Sequence, residues 1–240
     1  MIAIRRDEDI DNIHSIYVDQ WDWEKIITKE QRTEETLKDT VKAVYEALRV
    51  TEKRMSNSYE YIHCILPEEI TFVTSQELED RFPDLSPRER EYKIAKEKGA
   101  VFLMQIGGAL ASGEPHDGRA PDYDDWSLNG DIIVYYPVLD TALELSSMGI
   151  RVDEEALIKQ LEIAGCPERA QLPFQKAIIE KQLDVYKRQV WRELRSPTGR
   201  RGLSGIRSGC PAGESIRRCS SMMTGRHIIT GISFFPAVCR

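Results

Sequence analysis

LNGDIIVYYPVLDTALELSSMGIRVD, residues 128–153, reads as two strands joined by a short connection. Residues 131–138 are an apolar, β-branched run that opens on a carboxylate, Asp131. Residues 144–152 resume a strand pattern and open on a second carboxylate, Glu144. Two carboxylates on neighbouring strands suit a Mg²⁺–phosphate clamp, because Mg²⁺ commonly takes one or two carboxylates together with substrate phosphates. Ser146, Ser147 and Arg151 follow Glu144 on the same segment. Two unconnected surface acids would leave the same spacing, so the pattern alone leaves both readings open.

Working outward, residues 100–106 are a continuous apolar run, the signature of a central strand. Ser86-Pro87-Arg88-Glu89 predicts a helix start, with Ser at the cap and Pro in the first turn, and Gly99 predicts its end. Residues 70–74 form a β-branched strand. Thr33 caps a helix whose Leu37, Val41, Val44, Leu48 and Met55 recur at helical spacing, with Glu34 and Glu35 in its first turn. At the N-terminus, residues 2–6 and 14–23 alternate and make a hairpin around a polar loop, 7–13. Downstream, 153–166 is an amphipathic helix and 167–183 a further helix perturbed at Pro173. Beyond Leu183 the periodicity fails.

Two more clusters carry chemistry. The hairpin holds Arg5, Arg6, Asp7 and Glu8 at its turn and Ser15, Asp19, Gln20 and Asp22 on its return strand. Arginines beside a short loop suit phosphate or carboxylate recognition through the planar guanidinium fork; a solvated, salt-bridged turn is the competing reading. Residues 107–125 form a long loop rich in Gly and Pro, ending in HDGRAPDYDDW (116–126). Its carboxylates, His116, Arg119 and Tyr123 could bind the amino and carboxylate groups of an amino acid, or a metal; an exposed acidic loop is the alternative. No Walker loop or GxGxxG is present. His14, His63 and His227 have no sequence neighbours that suggest a site.

The chain has 240 residues, 41% hydrophobic and 30% charged, with room for a core. No apolar run is long enough for a membrane helix, and the N-terminus lacks a signal-peptide pattern. The net charge of −7 argues against a nucleic-acid or anionic-membrane partner. That total conceals a split. Residues 184–240 hold 11 basic and 3 acidic residues, and residues 1–183 hold 22 and 37. Five cysteines without CxxC pairs point away from zinc and towards a reducing compartment.

The segments HSIYVDQWDWE (14–24), FVTSQELEDRFPDLSPREREYKIAKEKGAVFLMQIGG (72–108), HDGRAPDYDDW (116–126) and 128–153 closely resemble the ammonia-dependent asparagine synthetases, the bacterial aspartate–ammonia ligases. The resemblance runs from residue 1 to about Leu183. It implies an α+β class II aminoacyl-tRNA synthetase-like fold, an antiparallel-rich sheet flanked by helices. It also implies a cytoplasmic enzyme that uses ATP and Mg²⁺ to form β-aspartyl-AMP from aspartate, releases pyrophosphate, and lets ammonia displace AMP. By position it assigns Arg5 and Gln20 to catalysis, and Asp22, Arg119, Tyr123 and Asp124 to the amino-acid substrate. Arg6, Glu8, Ser15 and Ser147 go to ATP, and Asp131 and Glu144 to the metal. The family implies a homodimer, no nucleic acid and no membrane.

Two departures from the family pattern are expected to matter. The segment before the hairpin, with motif 1 and much of the dimer interface, has no counterpart here, and no GGGIGQSR-like motif 3 follows Leu183. The reading is therefore a partial catalytic domain over 1–183, incomplete at both ends and with little activity alone. Residues 184–240 are read as a basic, Arg/Gly/Ser-rich tail, non-native or disordered. The alternatives are an aspartyl- or asparaginyl-tRNA synthetase relative and a non-catalytic paralogue that binds aspartate or AMP.

Overall fold

The structure, a computed structural model, describes residues 2–4, 6, 9–11, 14–180 and 226–234, with backbone alone at 2, 3, 19–21 and 226–234. Arg5 and Glu8 lie outside the described residues, as does the side chain of Gln20. Among the described residues seven strands, β1 (Ile2–Ile4), β2 (Tyr17–Thr28), β3 (Thr71–Thr74), β4 (Ala100–Met104), β5 (Asp124–Tyr136), β6 (Thr141–Arg151) and β7 (Arg226–Phe234), form one sheet. Their order is β1-β2-β7-β6-β5-β4-β3, with every pairing antiparallel except β3 with β4. The helices are α1 (Glu34–Ser58), α2 (Ser75–Arg81), α3 (Pro87–Lys98), α4 (Glu154–Ile163) and α5 (Pro173–Ile179).

Local chemistry explains most of the boundaries. The Thr33 hydroxyl accepts from Thr36 N at 3.2 Å and starts α1. Ser86 and Glu89 close a capping box at α3, with Pro87 in the first turn. That helix ends at Gly99, whose φ of +78° suits glycine. A second box, Thr74 with Glu77, starts α2; this short helix escaped the sequence reading, although Thr-x-x-Glu was its signal. Pro173 splits the expected 167–183 helix into a 3-10 turn, Pro167–Gln171, and α5.

The sheet is sandwiched. On one face, Phe102, Ile132, Val134, Met148 and Ile150 pack against Leu37, Val41 and Tyr45 of α1. On the other, Val101, Leu103 and Ile133 pack against Leu78 of α2 and Ile94 and Ala95 of α3. The strand read from the apolar run is buried at all five positions. Beyond the sheet, Leu157, Leu161 and Ile178 join α4 to α5. Among the described residues no helix is long and apolar enough to cross a membrane.

Three boundaries differ from expectation. β2 starts at Tyr17 rather than 14 and runs on to Thr28, because Asp11 holds the His14 ring and backbone in the turn, at 2.8 and 2.7 Å. β5 starts at Asp124, seven residues before the apolar run, since Asp124 pairs with Arg151 and Asn129 with Gly149. Finally, Arg226–Phe234 lies in the segment where no element was expected, yet it is paired to β2 on one side and β6 on the other. Its sequence, RHIITGISF, is dominated by β-branched residues that favour a pleated conformation.

Candidate active site

The site begins with a fault in the β5–β6 ladder. Asp131 pairs with Ser147 and Ile132 with Ser146, but Ile133 pairs with Glu144, so Leu145 is an extra residue on β6. On a regular strand, residues three apart point to opposite faces. The bulge restores them to one face, because Glu144 now stands opposite Ile133 and Ser147 opposite Asp131, and Asp131 and Ile133 share a face of β5. Leu145 packs instead into the α1 side of the core. A single extra residue thus gathers Asp131, Glu144 and Ser147.

Arg119 enters from the loop that precedes β5. Its Nη1 donates to Ser147 Oγ at 3.0 Å, and its Nη2 is ion-paired with Asp131 Oδ2. The Asp131 side chain is 8% exposed and that of Arg119 26%. Burial raises the Asp131 carboxyl above its usual range, against the pull of Arg119 and of hydrogen bonds from Ser147 and Arg119. Glu144 is pushed up to about 8, by burial of its carboxylate first and by Asp131 second, with Arg119 opposing. The Glu144 residue as a whole is nevertheless exposed to water, so solvent screening limits what this rise costs the fold. Burial alone would lower the Arg119 guanidinium, but Asp131 and Glu144 outweigh it and hold it above its ordinary value. Asp131 Oδ1 and Arg119 Nε are buried with no hydrogen-bond partner among the described residues.

The other end of the same face carries Tyr123 and Asp124. Arg119, expected beside them, is tied to Asp131 instead, and Arg151 of β6 takes the expected place. Its guanidinium lies 3.1 Å from the centre of the Tyr123 ring and Nη1 bonds Asp124 Oδ1 at 3.2 Å. Gly149, between Arg151 and Ser147, keeps the face open for Asp124: a Cβ there would come within 2.9 Å of the Asp124 Cγ.

The loop that supplies Arg119 is pinned along its length. Asn129 clamps its start, accepting from Ile106 N and donating to Ile106 O, both at 2.9 Å. Gly107, at φ +115°, lets the chain pass the Trp126 ring. Gln160 of α4 binds Pro121 O, Asp124 O and Trp126 N at the loop's end. Buried Asp125 is held by Arg32 at 2.7 Å.

The hairpin residues are placed less completely. Asp22 pairs with Ile232, Ile232 with Ser147 and Ser147 with Asp131, so Asp22 belongs to the same row and the same face as the acid pair. Gln20 is in register with Phe234. Ser15 accepts from Tyr17 N at 3.3 Å in the turn before β2, and Arg6 is exposed between β1 and β2. Sequence reading missed Asn129, Gln160, Arg32 and Glu91. Each acts on a distant backbone or side chain, a relation without a local signature. A cavity of about 560 Å³ opens between the loop after β4, Trp126 and α4, and none of the predicted site residues lines it.

A family model described as AsnA, aspartate-ammonia ligase, matches residues 1–186. The chain belongs to the aspartate-ammonia ligase family. The aspartate–ammonia ligase of Clostridium perfringens strain 13 is 66% identical over 183 residues, which cover 76% of this chain and 54% of that one. The corresponding ligase of Clostridium tetani strain Massachusetts is 62% identical over the same shares. This member of the family therefore spans about half the length of the curated relatives it matches. Among solved structures, an asparaginyl-tRNA synthetase from Entamoeba histolytica, in complex with asparaginyl-adenylate, superposes with a TM-score of 0.51 at 10% identity, over 97% of this chain and 46% of that one. The ligase segment thus shares the class II synthetase fold, an α+β architecture.

Proposed function

We propose that residues 1–183 carry part of an enzyme that joins ammonia to the side-chain carboxylate of aspartate, through β-aspartyl-AMP with release of pyrophosphate and AMP. The observation that supports this best is the acid pair Asp131–Glu144, aligned by the bulge, with Arg119 tied to Asp131 and Ser147 beside it. Attack of a carboxylate on the α-phosphate builds negative charge there, and the site must neutralise it. In this reading Arg119 turns from Asp131 towards phosphate oxygens, with Ser147 beside it, while Arg5, Arg6, Glu8 and Ser15 approach the nucleotide from the hairpin. Asp124 takes the α-ammonium of aspartate, Tyr123 and Arg151 flank it, and Gln20 and Asp22 orient the acyl group from β2.

The donors at Asp131 and Glu144 fit Mg²⁺. They are hard oxygens, one of them buried and without a partner among the described residues, and Asp131 raises the proton affinity of Glu144. No group of three or more His, Cys, Asp or Glu among the described residues could hold a metal. Two carboxylates completed by phosphate oxygens and water match the usual Mg²⁺ arrangement. Bound there, Mg²⁺ would supply charge neutralisation at the phosphates. The family also suggests a cytoplasmic homodimer.

Calorimetric titration with a non-hydrolysable β-aspartyl-adenylate mimic tests the reading. Binding that is lost in Asp124→Ala and absent for the glutamyl mimic is expected. Equal binding of both mimics, or binding indifferent to Asp124, overturns it.

A further inference from the structure

His116 and Glu91 form a pair, the histidine buried and the glutamate half-buried, next to the site but outside the machinery assigned above. His116 sits three residues before Arg119, with its side chain fully buried. Its Nε2 lies 2.9 Å from Glu91 Oε1, on the α3 face that packs against the sheet. Among the described residues His116 Nδ1 is buried without a hydrogen-bond partner, and the contact to Glu91 is the ring's one polar anchor there. The loop leading to it is already tied down. Ala111 N donates to Gln76 Oε1 at 2.8 Å, and Ser112 N and Oγ bind Glu79 at 3.1 and 2.7 Å. Beyond His116 the next side-chain anchor into the site is Arg119 itself, on Asp131 and Ser147.

Glu91 also reaches the site through its charge. It contributes to the raised proton affinity of both Asp131 and Glu144. A hydrogen bond donated by His116 fixes that carboxylate on α3 and ties the loop to the helix three residues before Arg119, which spans to β5 and β6. Orientation of this kind matters most for a long, rotamer-rich side chain such as arginine, whose ordering must be enforced by its backbone and neighbours.

The geometry points to His116 as a positioning residue for Arg119, acting through its hydrogen bond to Glu91, and not as a residue that touches the reactants. Glutamine can place its Nε2–H close to where the histidine Nε2–H lies, so His116→Gln keeps the bond and His116→Ala removes it.

Two readouts test this. The first is the side-chain ¹⁵N spectrum of the ligand-free chain, with Arg119 assigned by Arg119→Lys. Restrained Nη signals are expected in the wild type and in His116→Gln, and averaged ones in His116→Ala and Glu91→Ala. The second is affinity for the β-aspartyl-adenylate mimic, expected to fall by up to about a hundredfold in the alanine variants and to return with His116→Gln. This second readout rests on the ligase reading. If the wild type fails to bind the mimic, that reading falls, while the ligand-free spectrum still decides the role of His116. Restrained Arg119 signals in a folded His116→Ala overturn the inference. So does a loss that His116→Gln shares to the same degree, with a parallel drop in thermal midpoint. Should His116→Ala fail to fold, Glu91→Ala and His116→Gln carry the same comparison.

Discussion

Removing Arg119 should strand a buried charge, and the size and pH dependence of the effect can be worked out. Asp131 is 8% exposed and Arg119 26% at the side chain. Breaking a buried ion pair by deleting one partner costs about 3–5 kcal/mol, because the other is left charged in a poor solvent. Water already reaches a quarter of the arginine, so Arg119→Ala is expected near the lower end, about 3 kcal/mol. Asp131→Asn removes the charge along with its partner's need for it and keeps a polar group, so about 1 kcal/mol is expected. The double variant should resemble Asp131→Asn alone, giving a coupling of about 3 kcal/mol.

The sign with pH follows from linkage. Without Arg119, the folded-state pKa of Asp131 stands still further above its unfolded value of about 3.9. Between those two values the folded protein keeps a proton that the unfolded chain has released, so stability falls as pH rises. The deficit of Arg119→Ala should be small near pH 4.5 and full once pH exceeds the folded pKa. Urea unfolding of the four proteins at pH 4.5, 6 and 8, followed by tryptophan fluorescence, gives both quantities. A deficit that does not vary with pH, or single variants whose effects simply add, refutes the reasoning.

Other outcomes follow from the same structure. Glu144→Gln cannot ionise, whereas the wild-type carboxyl is raised towards about 8. Its stability relative to wild type should therefore climb as pH rises from 5 to 8.5 in matched unfolding curves, and a falling difference contradicts it. Gly107→Ala places a Cβ 2.5 Å from Trp126 at φ +115° and should lower the thermal midpoint sharply; an unchanged midpoint speaks against that contact. Asn129→Ala leaves the Ile106 N–H and C=O buried and unpaired. A loss of about 2–3 kcal/mol is expected, with faster hydrogen exchange at Ile106, and slow exchange there would be the contrary result.

Much of the fold could be read from local signals. Thr33, Ser86, Pro87 and Gly99 mark helix ends through their own backbone and side-chain chemistry, and an apolar run such as 100–104 has few alternatives to a buried strand. The two carboxylates on neighbouring strands were also legible. Their meeting on one face was not, because Leu145-Ser146 contains nothing that distinguishes a bulge from a regular pleat; the extra residue is visible only against Ile132 and Ile133. Arg119 lies away from its expected neighbours Tyr123 and Asp124, and Arg151 lies beside them, for a similar reason. A loop arginine can reach either end of the face, and the choice depends on how Asn129, His116 and Gln160 hold the loop. Glu91 looked like any acid on the exposed side of a charged helix, and Arg226–Phe234 was masked by the basic, glycine-rich sequence around it.

The row Asp22–Ile232–Ser147–Asp131 works as a yardstick. Its divisions are strand-to-strand intervals of about 4.8 Å, so Asp22 and Asp131 stand about 14 Å apart. Backbone hydrogen bonds set those intervals, and a side-chain substitution leaves them as they are. Exchanging residues along the row alters what is presented at each mark, never the distance between marks.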